Sequence, residues 1–239
     1  MITYQHYYLE NLYPFQDEII RIVNGRTDQF YLTGGTALSR GYLNHRYSDD
    51  LDFFTNNNPA FYDSCNSALK GLCEAGYEVS FDKKVSDRFV RKVIFSKNKI
   101  SPLTIQVDFI NDVDAHFGNI INHPVLFRLD SLQNILSNKL CALLGRNEAK
   151  DVVDLWAICK KLDFSWADVL NEAESKDGSI DSMYISGLIQ SFPEKEFNGV
   201  HWVSRPSFSI FMKDIETIAK DMNALASNSV FLKKKQKTR

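Results

Sequence analysis

The sequence has few of the residues that mark several classes of protein. It has four cysteines and no Cys-x-x-Cys pair, so we expect buried free thiols in a reducing cytoplasm, with a zinc site as the weaker alternative. Its five histidines do not fall at metal-ligand spacing. It lacks an apolar run of about 18 residues, and its first residues lack the basic and apolar regions of a secretion signal. These absences predict a cytoplasmic protein without a membrane span.

The composition is that of an ordinary globular protein, with 44% apolar and 24% charged residues. A chain of 239 residues has room for one large domain or two small ones. The net charge of −2 is unevenly distributed, because aspartates gather in the first half and the last residues, FLKKKQKTR, are basic. We interpret this tail as a solvated chain end or, alternatively, as a contact to RNA or an acidic partner.

The hydrophobic pattern predicts two regions of different character. The first alternates helices and strands, and from Leu129 onward the pattern is helical. In the first region the predicted helices are Leu9–Val23, Thr36–Leu43 and Phe61–Ala75, and the predicted strands are Phe30–Leu32, Leu51–Phe54, Tyr77–Phe81, Phe89–Phe95 and Leu103–Ile110. In the second region we predict helices up to Pro193, a loop over Glu194–Ser204 and a last helix over Phe208–Ala226. We therefore predict an α+β fold, with a mixed sheet and helices on one face in residues 1–122 and a helical domain in residues 123–239.

A glycine turn follows the first predicted strand. Gly34 and Gly35 permit backbone geometry that other residues avoid and let a ligand approach the main chain closely. If a helix begins at Thr36, its free amides and dipole favour an anion such as a triphosphate. The alternative is a tight strand-to-helix turn capped by Thr36. We expect Gly41 to interrupt the helix that follows.

Two acidic residues, Asp50 and Asp52, come shortly after this turn. Strand periodicity places both carboxylates on one face, about 7 Å apart, while Leu51 and Phe53 face the other way. Carboxylate oxygens suit Mg²⁺, which leaves room for substrate phosphates. Two like charges without a cation repel each other. The pair therefore predicts a magnesium site, or alternatively an exposed polar strand face.

A third carboxylate, Asp108, lies on a later predicted strand. Alternation places Gln106 and Asp108 on one face, and a neighbouring strand position would bring Asp108 beside Asp50 and Asp52. Metal ions shared by three carboxylates would polarise a phosphate, and Asp108 could then act as a base.

In the helical half, Lys139 falls on an apolar stripe with Leu132, Leu136 and Leu143. A lysine at such a position either extends its ammonium to solvent or serves a site. Arg146 and Lys150 would continue the stripe, although Gly145 and Asn147 interrupt it. This pattern predicts a cradle for nucleotide phosphates; the alternative is a solvated face with a Lys150–Asp154 pair.

These motifs together resemble the AbiEii/MenT-like family of nucleotidyltransferase toxins, which belongs to the DNA-polymerase-β-like superfamily. The resemblance rests on Gly34-Gly35-Thr36-Ala37-Leu38, on Arg46-x-Ser48-x-Asp50-Leu51-Asp52-Phe53-Phe54, on Asp108, and on the segment from Lys139 through Arg146 to Lys150-Asp151 and Asp154. It spans residues 28–160 and implies a polymerase-β-like fold followed by a helical domain.

The resemblance also implies roles for individual residues. Gly35 and Thr36 would contact triphosphate, Asp50 and Asp52 would hold metal, and Asp108 would be the third acid. Lys139 would bind phosphates, while Arg46 and Ser48 would brace the turn that presents Asp50. Asp154, or less favourably Asp151, would take the family's acidic position on the later helix.

The implied function is Mg²⁺- or Mn²⁺-dependent transfer of a nucleoside monophosphate from an NTP to an acceptor hydroxyl. The family further implies a tRNA acceptor, a toxin role in toxin–antitoxin or abortive-infection systems, and a winged-helix antitoxin partner. Two alternatives remain open: a nucleotidyltransferase that modifies a small molecule such as an antibiotic, and a nucleotide-binding protein with an incomplete site.

Overall fold

A computed structural model of the chain describes residues 4–80, 85–86, 88–98, 103–146 and 148–231. They form two compact units, one within Met1–Tyr42 and Tyr47–Ser131 and the other within Leu43–Arg46 and Leu132–Arg239. The division after Ser131 comes later than the sequence-based boundary at 122/123. The basic tail and Asn147 lie outside the described residues.

The first unit contains the predicted alternation of helices and strands. Its helical segments are α1 (Tyr4–Tyr7), π1 (Tyr8–Leu12), α2 (Tyr13–Arg26), α3 (Gly34–Thr36), π2 (Ala37–Leu43, which ends in the other unit) and α4 (Phe61–Glu74). Its strands are β1 (Tyr31–Thr33), β2 (Leu51–Asn56), β3 (Glu78–Val79), β4 (Val85–Ser86), β5 (Phe89–Phe95), β6 (Thr104–Asp112), β7 (Ile121–His123) and β8 (Phe127–Leu129).

These strands make one mixed sheet in the order β3-β5-β6-β2-β1-β8-β7, and β4 pairs with β5 outside this order. β2 runs parallel to β6, and β1 runs parallel to β8. The pairs β1–β2 and β5–β6 are antiparallel. The centre of the sheet is therefore formed by the strands that carry the glycine turn and the predicted acidic residues.

Aromatic packing fixes the register at this centre. Phe53 lies opposite Phe109 in the parallel β2–β6 pair, and their stacked rings have centroids 5.5 Å apart. Phe30 contacts Phe109 from the end of the loop before β1, at 5.0 Å, and all three side chains are almost completely buried. Since a slip of one residue would turn these rings away from the core, the packing specifies one register.

Several boundaries differ from the sequence-based expectation. The first helical stretch continues past Asn24-Gly25 to Arg26, and extended backbone begins only at Thr27. The strands β7 and β8 were not predicted, since three-residue strands are too short to show alternation. Cys73 was expected to be buried and is exposed.

The expectation for Gly41 was wrong. The helical segment begins at Gly34 and continues as π2 through Gly41 to Leu43. A Cβ at Gly41 would lie 2.5 Å from Cδ2 of Leu129, whose side chain is completely buried. Glycine at this position therefore permits close packing and does not end the helix.

The second unit is helical, as predicted, from α5 onward. Its helices are α5 (Leu132–Gly145), α6 (Ala149–Cys159), α7 (Trp166–Lys176), α8 (Ser182–Gln190), α9 (Glu194–Gly199) and α10 (Phe208–Asn223). The segment predicted as a loop after Pro193 contains α9, which buries Phe197 against Phe211 with ring centroids 5.1 Å apart. None of the helices in the described part of the chain is both long and apolar enough to cross a bilayer.

The packing at Gly41 gives a test of this fold. Gly41→Ala should lower the free energy of unfolding by about 1–3 kcal/mol, because the added methyl group overpacks the core at Leu129. Gly25→Ala is the matched control, since nothing lies within 4 Å of a Cβ at that exposed helical position; it should raise stability by up to about 1 kcal/mol. Urea unfolding measures both. Equal stability of Gly41→Ala and the parent protein would contradict the packing.

Candidate active site

A row of polar residues crosses the centre of the sheet in the first unit. Asp52 on β2 is the register partner of Asp108 on the parallel strand β6. Thr33 on β1 is the partner of Asp52 on its other side, and Arg91 on β5 is the partner of Asp108. Because directly paired residues on adjacent strands share a face, these side chains lie side by side. The neighbouring row, with Phe53 and its partners, faces the core.

Gly34 lies against the carboxylate of Asp52. Its φ of +68° is in the left-handed region, which glycine adopts without strain. A Cβ here would stand 2.1 Å from Oδ2 of Asp52. The turn therefore needs glycine for two reasons, its backbone conformation and the space that the carboxylate occupies.

The helix after the turn starts earlier than predicted. It begins at Gly34, with Thr33 as the N-cap residue, whose side chain makes no capping hydrogen bond. The capping interpretation for Thr36 was therefore wrong. Thr36 is completely buried, and its hydroxyl donates to the carbonyl oxygen of Asp50, which links the glycine turn to the segment that presents the acidic pair.

Gln16 holds the same segment from α2. Its side-chain amide nitrogen donates to the carbonyl oxygens of Ser48 and Asp49, each at 3.0 Å. Its amide oxygen accepts from Nη1 of Arg40 at 3.0 Å, which fixes the orientation of the amide group. Gln16 is completely buried. The sequence offered a signal for it, because a glutamine interrupts the apolar stripe of this helix.

Asp49 lies outside the acidic row, which consists of Asp52 and Asp108 on their paired strands and Asp50 directly before β2. Asp49 is exposed, and its Oδ1 accepts from the hydroxyl of Tyr8 at 2.7 Å. Burial and then this hydrogen bond raise the pKa of Tyr8. The Tyr8 ring stacks on Tyr47, with centroids 4.4 Å apart. Asp49 therefore helps to attach the N-terminal helical stretch to the segment before β2.

Thr33, at the other end of the row, is anchored by a buried acid. Its hydroxyl donates to Oδ2 of Asp130, which is completely buried. His116 Nε2 lies 3.0 Å from Oδ1 of the same carboxylate, and the backbone N–H of Ser131 donates to it at 2.8 Å. These bonds fix the end of β1 where the glycine turn begins.

Arg91 binds both carboxylate oxygens of Asp108. Nε donates to Oδ1 at 2.8 Å and Nη2 to Oδ2 at 2.7 Å, and Gln106 adds a longer bond to Oδ2 at 3.3 Å. The hydrogen bonds to Asp108 raise the pKa of Arg91 against the effect of burial, and the charges of Asp108, Asp50 and Asp52 add to the rise. The sequence analysis missed Arg91, because its proximity to Asp108 depends on which strand lies beside β6.

The donor chemistry of this row fits a divalent cation. The oxygens of Asp50, Asp52 and Asp108 are hard ligands, and one cationic group, the guanidinium of Arg91, already lies within electrostatic reach of all three. Within the described ranges, no three His, Cys, Asp or Glu side chains are already arranged as a metal-binding group.

A separate group of charges lies inside the second unit, around Asp154. This carboxylate is completely buried and binds Arg46 through two hydrogen bonds, of 2.7 and 2.8 Å. His45 Nε2 lies at 2.8 Å and Lys139 Nζ at 2.6 Å. Burial alone would raise the pKa of Asp154, but the charges of Arg46 and Lys139 hold it well below its usual value. Burial lowers the pKa of His45, against the raising effect of its hydrogen bond with Asp154.

Lys139 also contacts Asp151, at 2.8 Å, and Arg146 binds the same carboxylate at 2.9 and 3.1 Å. Burial alone would lower the pKa of Lys139, but the charges of Asp154 and Asp151 outweigh it and the pKa is raised. Lys150 pairs with Glu148 at 2.9 Å. The alternative of a solvated Lys150–Asp154 pair was wrong, because Asp154 is buried.

The structure thus brings the predicted site residues together in two groups. Gly34, Thr36, Asp50, Asp52 and Asp108 belong to the first unit, and Lys139, Arg146 and Asp154 to the second. Gly35 follows Gly34 in the turn and is buried, while Lys150 is half-exposed at the start of α6. Nucleotide binding by the residues of the second unit stays a prediction.

Comparison with known proteins decides the family. A family model described as nucleotidyl transferase AbiEii toxin, type IV TA system, matches residues 21–229. The chain belongs to this family. It is therefore a nucleotidyltransferase toxin of the AbiEii type, whose toxin–antitoxin system implies an antitoxin partner. The matched span includes the glycine turn, the acidic row and the buried charges around Asp154.

A solved structure agrees with the fold of this AbiEii-family chain. A "putative nucleotidyltransferase from H. pylori" has a TM-score of 0.55 at 20% identity, with 97% of this chain and 98% of that chain covered. JHP933 from Helicobacter pylori has a TM-score of 0.49 at 20% identity, with 100% and 97% covered. The first likeness confirms the predicted nucleotidyltransferase fold. No curated protein matches the chain.

The charges around Asp154 give a stability test. Asp154→Asn should lower the free energy of unfolding by about 3–5 kcal/mol, because it leaves the buried Arg46 without its charged partner and Lys139 with Asp151 as its remaining one. Since the folded pKa lies below the ordinary value of 3.8, the difference should be complete above that pH and shrink as the pH falls further. Denaturant unfolding from pH 7 to pH 3 measures it.

Lys150→Gln serves as the matched control for this substitution. It removes a charge from the same helix, but the Lys150–Glu148 pair is partly exposed, so stability should change by less than about 0.5 kcal/mol. An Asp154→Asn protein as stable as Lys150→Gln at pH 7 would show that the buried charges do not depend on Asp154.

Proposed function

We propose that this AbiEii-family protein transfers a nucleoside monophosphate from an NTP to an acceptor hydroxyl and releases pyrophosphate. One observation carries the proposal: Asp52 lies in register opposite Asp108, and its carboxylate fills the space beside Gly34. Two acids on one face of a sheet can hold cations. The start of the helical segment beside them offers backbone N–H groups that can bind phosphate.

The phosphate chain would bind at the glycine turn. Gly34 and Gly35 open a helical segment that continues to Leu43, and the first amides of such a segment have no partners within it. Because Thr36 uses its hydroxyl on the carbonyl of Asp50, we propose that its contact with the triphosphate is made through the backbone. Glycine at position 34 adds no side-chain atoms of its own beside the carboxylate of Asp52.

Asp50, Asp52 and Asp108 would hold Mg²⁺ or Mn²⁺. When bound, the cation supplies Lewis-acid polarisation of the transferring phosphoryl group and charge stabilisation in the transition state. Gln16 and Thr36 contribute by fixing the backbone from Ser48 to Asp50, so that the carboxylates are positioned before the substrate arrives.

In the reaction that we propose, the acceptor oxygen attacks the α-phosphorus while the bond from that phosphorus to the β-phosphate oxygen breaks. Pyrophosphate carries away the electron pair of that bond. Asp108 accepts the proton of the attacking hydroxyl, as a general base positioned by β6. Asp108 can do so only when its oxygens are released from Arg91.

The acceptor that we propose is tRNA, and the partner a winged-helix antitoxin encoded by a neighbouring gene. Both follow from the family resemblance, and together they connect the chemistry to growth arrest. A small-molecule acceptor and a site that binds nucleotide without turnover are the alternatives that the following experiment separates.

The direct test incubates the protein with radiolabelled NTPs, Mg²⁺ and total tRNA. The parent protein should label tRNA, and Asp50→Ala/Asp52→Ala should label it at least about 100-fold more slowly, because charge stabilisation of the transferring phosphoryl group is lost. Asp114→Ala is the control and should retain the parent rate, since Asp114 is an exposed acid outside the row. Equal labelling by the parent and the double variant would contradict the mechanism.

A further inference from the structure

The contact between Arg91 and Asp108 has the features of an exchangeable ion pair. The two bonds, at 2.8 and 2.7 Å, occupy both oxygens of the carboxylate. The side chain of Arg91 is 43% exposed, whereas that of Asp108 is 7% exposed. The carboxylate is therefore fixed in the sheet, while the guanidinium reaches it from the solvent side on a long and flexible chain.

A buried pair elsewhere in the protein shows the contrast. Arg46 binds both oxygens of Asp154 with almost the same geometry, but the two side chains are only 6% and 0% exposed. Breaking that pair would leave charges without water, which is costly. Water can solvate the exposed guanidinium of Arg91 when its pair with Asp108 separates, so a stronger ligand for Asp108 can displace Arg91.

Arg91 also places a positive charge next to the acidic row. Its guanidinium binds Asp108 directly, and Asp52 is the register partner of Asp108 on the next strand, so one positive charge compensates neighbouring carboxylates. Its other near contact is the ring of Phe89, 5.1 Å away. A cation bound to the three acids would take over that compensation and would repel the guanidinium.

We propose that Arg91 is an exchangeable counter-ion of the site: it holds Asp108 in the cation-free protein, leaves it when a divalent cation binds, and then binds the phosphate chain. This inference rests on the proposed function, because it takes the three acids as the cation site. Arginine suits both partners, since its planar fork matches carboxylate and phosphate oxygens equally well. Arg91 is thus assigned as a substrate-positioning residue.

The exchange predicts two effects of opposite sign for Arg91→Gln. Mn²⁺ should bind about 2–5-fold more tightly to the nucleotide-free protein, because the guanidinium that competes for Asp108 is removed. Inorganic tripolyphosphate, titrated in the presence of Ca²⁺, should bind about 10-fold more weakly, because a charge-assisted hydrogen bond is lost. Electron paramagnetic resonance counts free Mn²⁺, and calorimetry measures tripolyphosphate binding.

Lys92→Gln is the matched control. It removes the same charge from the next residue of β5, whose side chain points to the other face of the sheet, so both affinities should change less than about 2-fold. Thermal unfolding of each variant verifies that the sheet is intact.

Each outcome of this experiment has one meaning. Tighter Mn²⁺ together with weaker tripolyphosphate, seen in Arg91→Gln but not in Lys92→Gln, supports the exchange. If Arg91→Gln binds neither Mn²⁺ nor tripolyphosphate, Arg91 only supports Asp108. If both affinities equal those of Lys92→Gln, Arg91 neither competes with the cation nor binds phosphate. Either result overturns the exchange but leaves the proposed function intact. A parent protein that binds no Mn²⁺ would overturn the proposed function as well.

Discussion

The site depends on holding two carboxylates side by side on adjacent strands. Like charges about 5 Å apart repel by about 1–3 kcal/mol, depending on the effective dielectric constant, so Asp52 and Asp108 do not favour their own register. The opposite face of the same strands provides the compensation, because Phe53 and Phe109 stack there and are completely buried. Burial of each large apolar side chain contributes about 1.5–3 kcal/mol. The apolar core thus places the acids together, and Arg91 reduces their repulsion.

The connections around this pair restrict the acidic row further. Gly34 leaves room for the carboxylate of Asp52, and Thr36 ties the glycine turn to the backbone of Asp50. Gln16 holds the two carbonyls just before it. These contacts involve the backbone of the segment that presents the acids, and they fix the position from which the acidic side chains extend. Such preorganisation is what phosphoryl transfer requires, since the protein contributes mainly position and charge.

Much of this arrangement can be predicted from the sequence. Strand alternation identifies Asp50, Asp52 and Asp108, and the strand followed by Gly34-Gly35 identifies the turn. What cannot be predicted is which strand lies beside which: Arg91 is 17 residues from Asp108 in the chain and becomes its partner only because β5 pairs with β6. The same limit hid the pairing of Arg46 with Asp154, for which the sequence left a role in the site and a solvated face as alternatives. The three-residue strands and the short helix after Pro193 were not predicted, because they are too short to show a hydrophobic periodicity.

The central claim is that the row formed by Asp50, Asp52 and Asp108 binds the divalent cation of a nucleotidyltransferase centre beside the glycine turn. Crystals grown with Mn²⁺ and a non-hydrolysable NTP analogue, measured for anomalous scattering, test it most directly. The account predicts an anomalous peak within coordination distance of these carboxylates, with the triphosphate at Gly34 and Gly35 and the guanidinium of Arg91 moved from Asp108 to a phosphate oxygen. A well-ordered nucleotide bound elsewhere, with Arg91 still on Asp108 and no Mn²⁺ at the row, would contradict it.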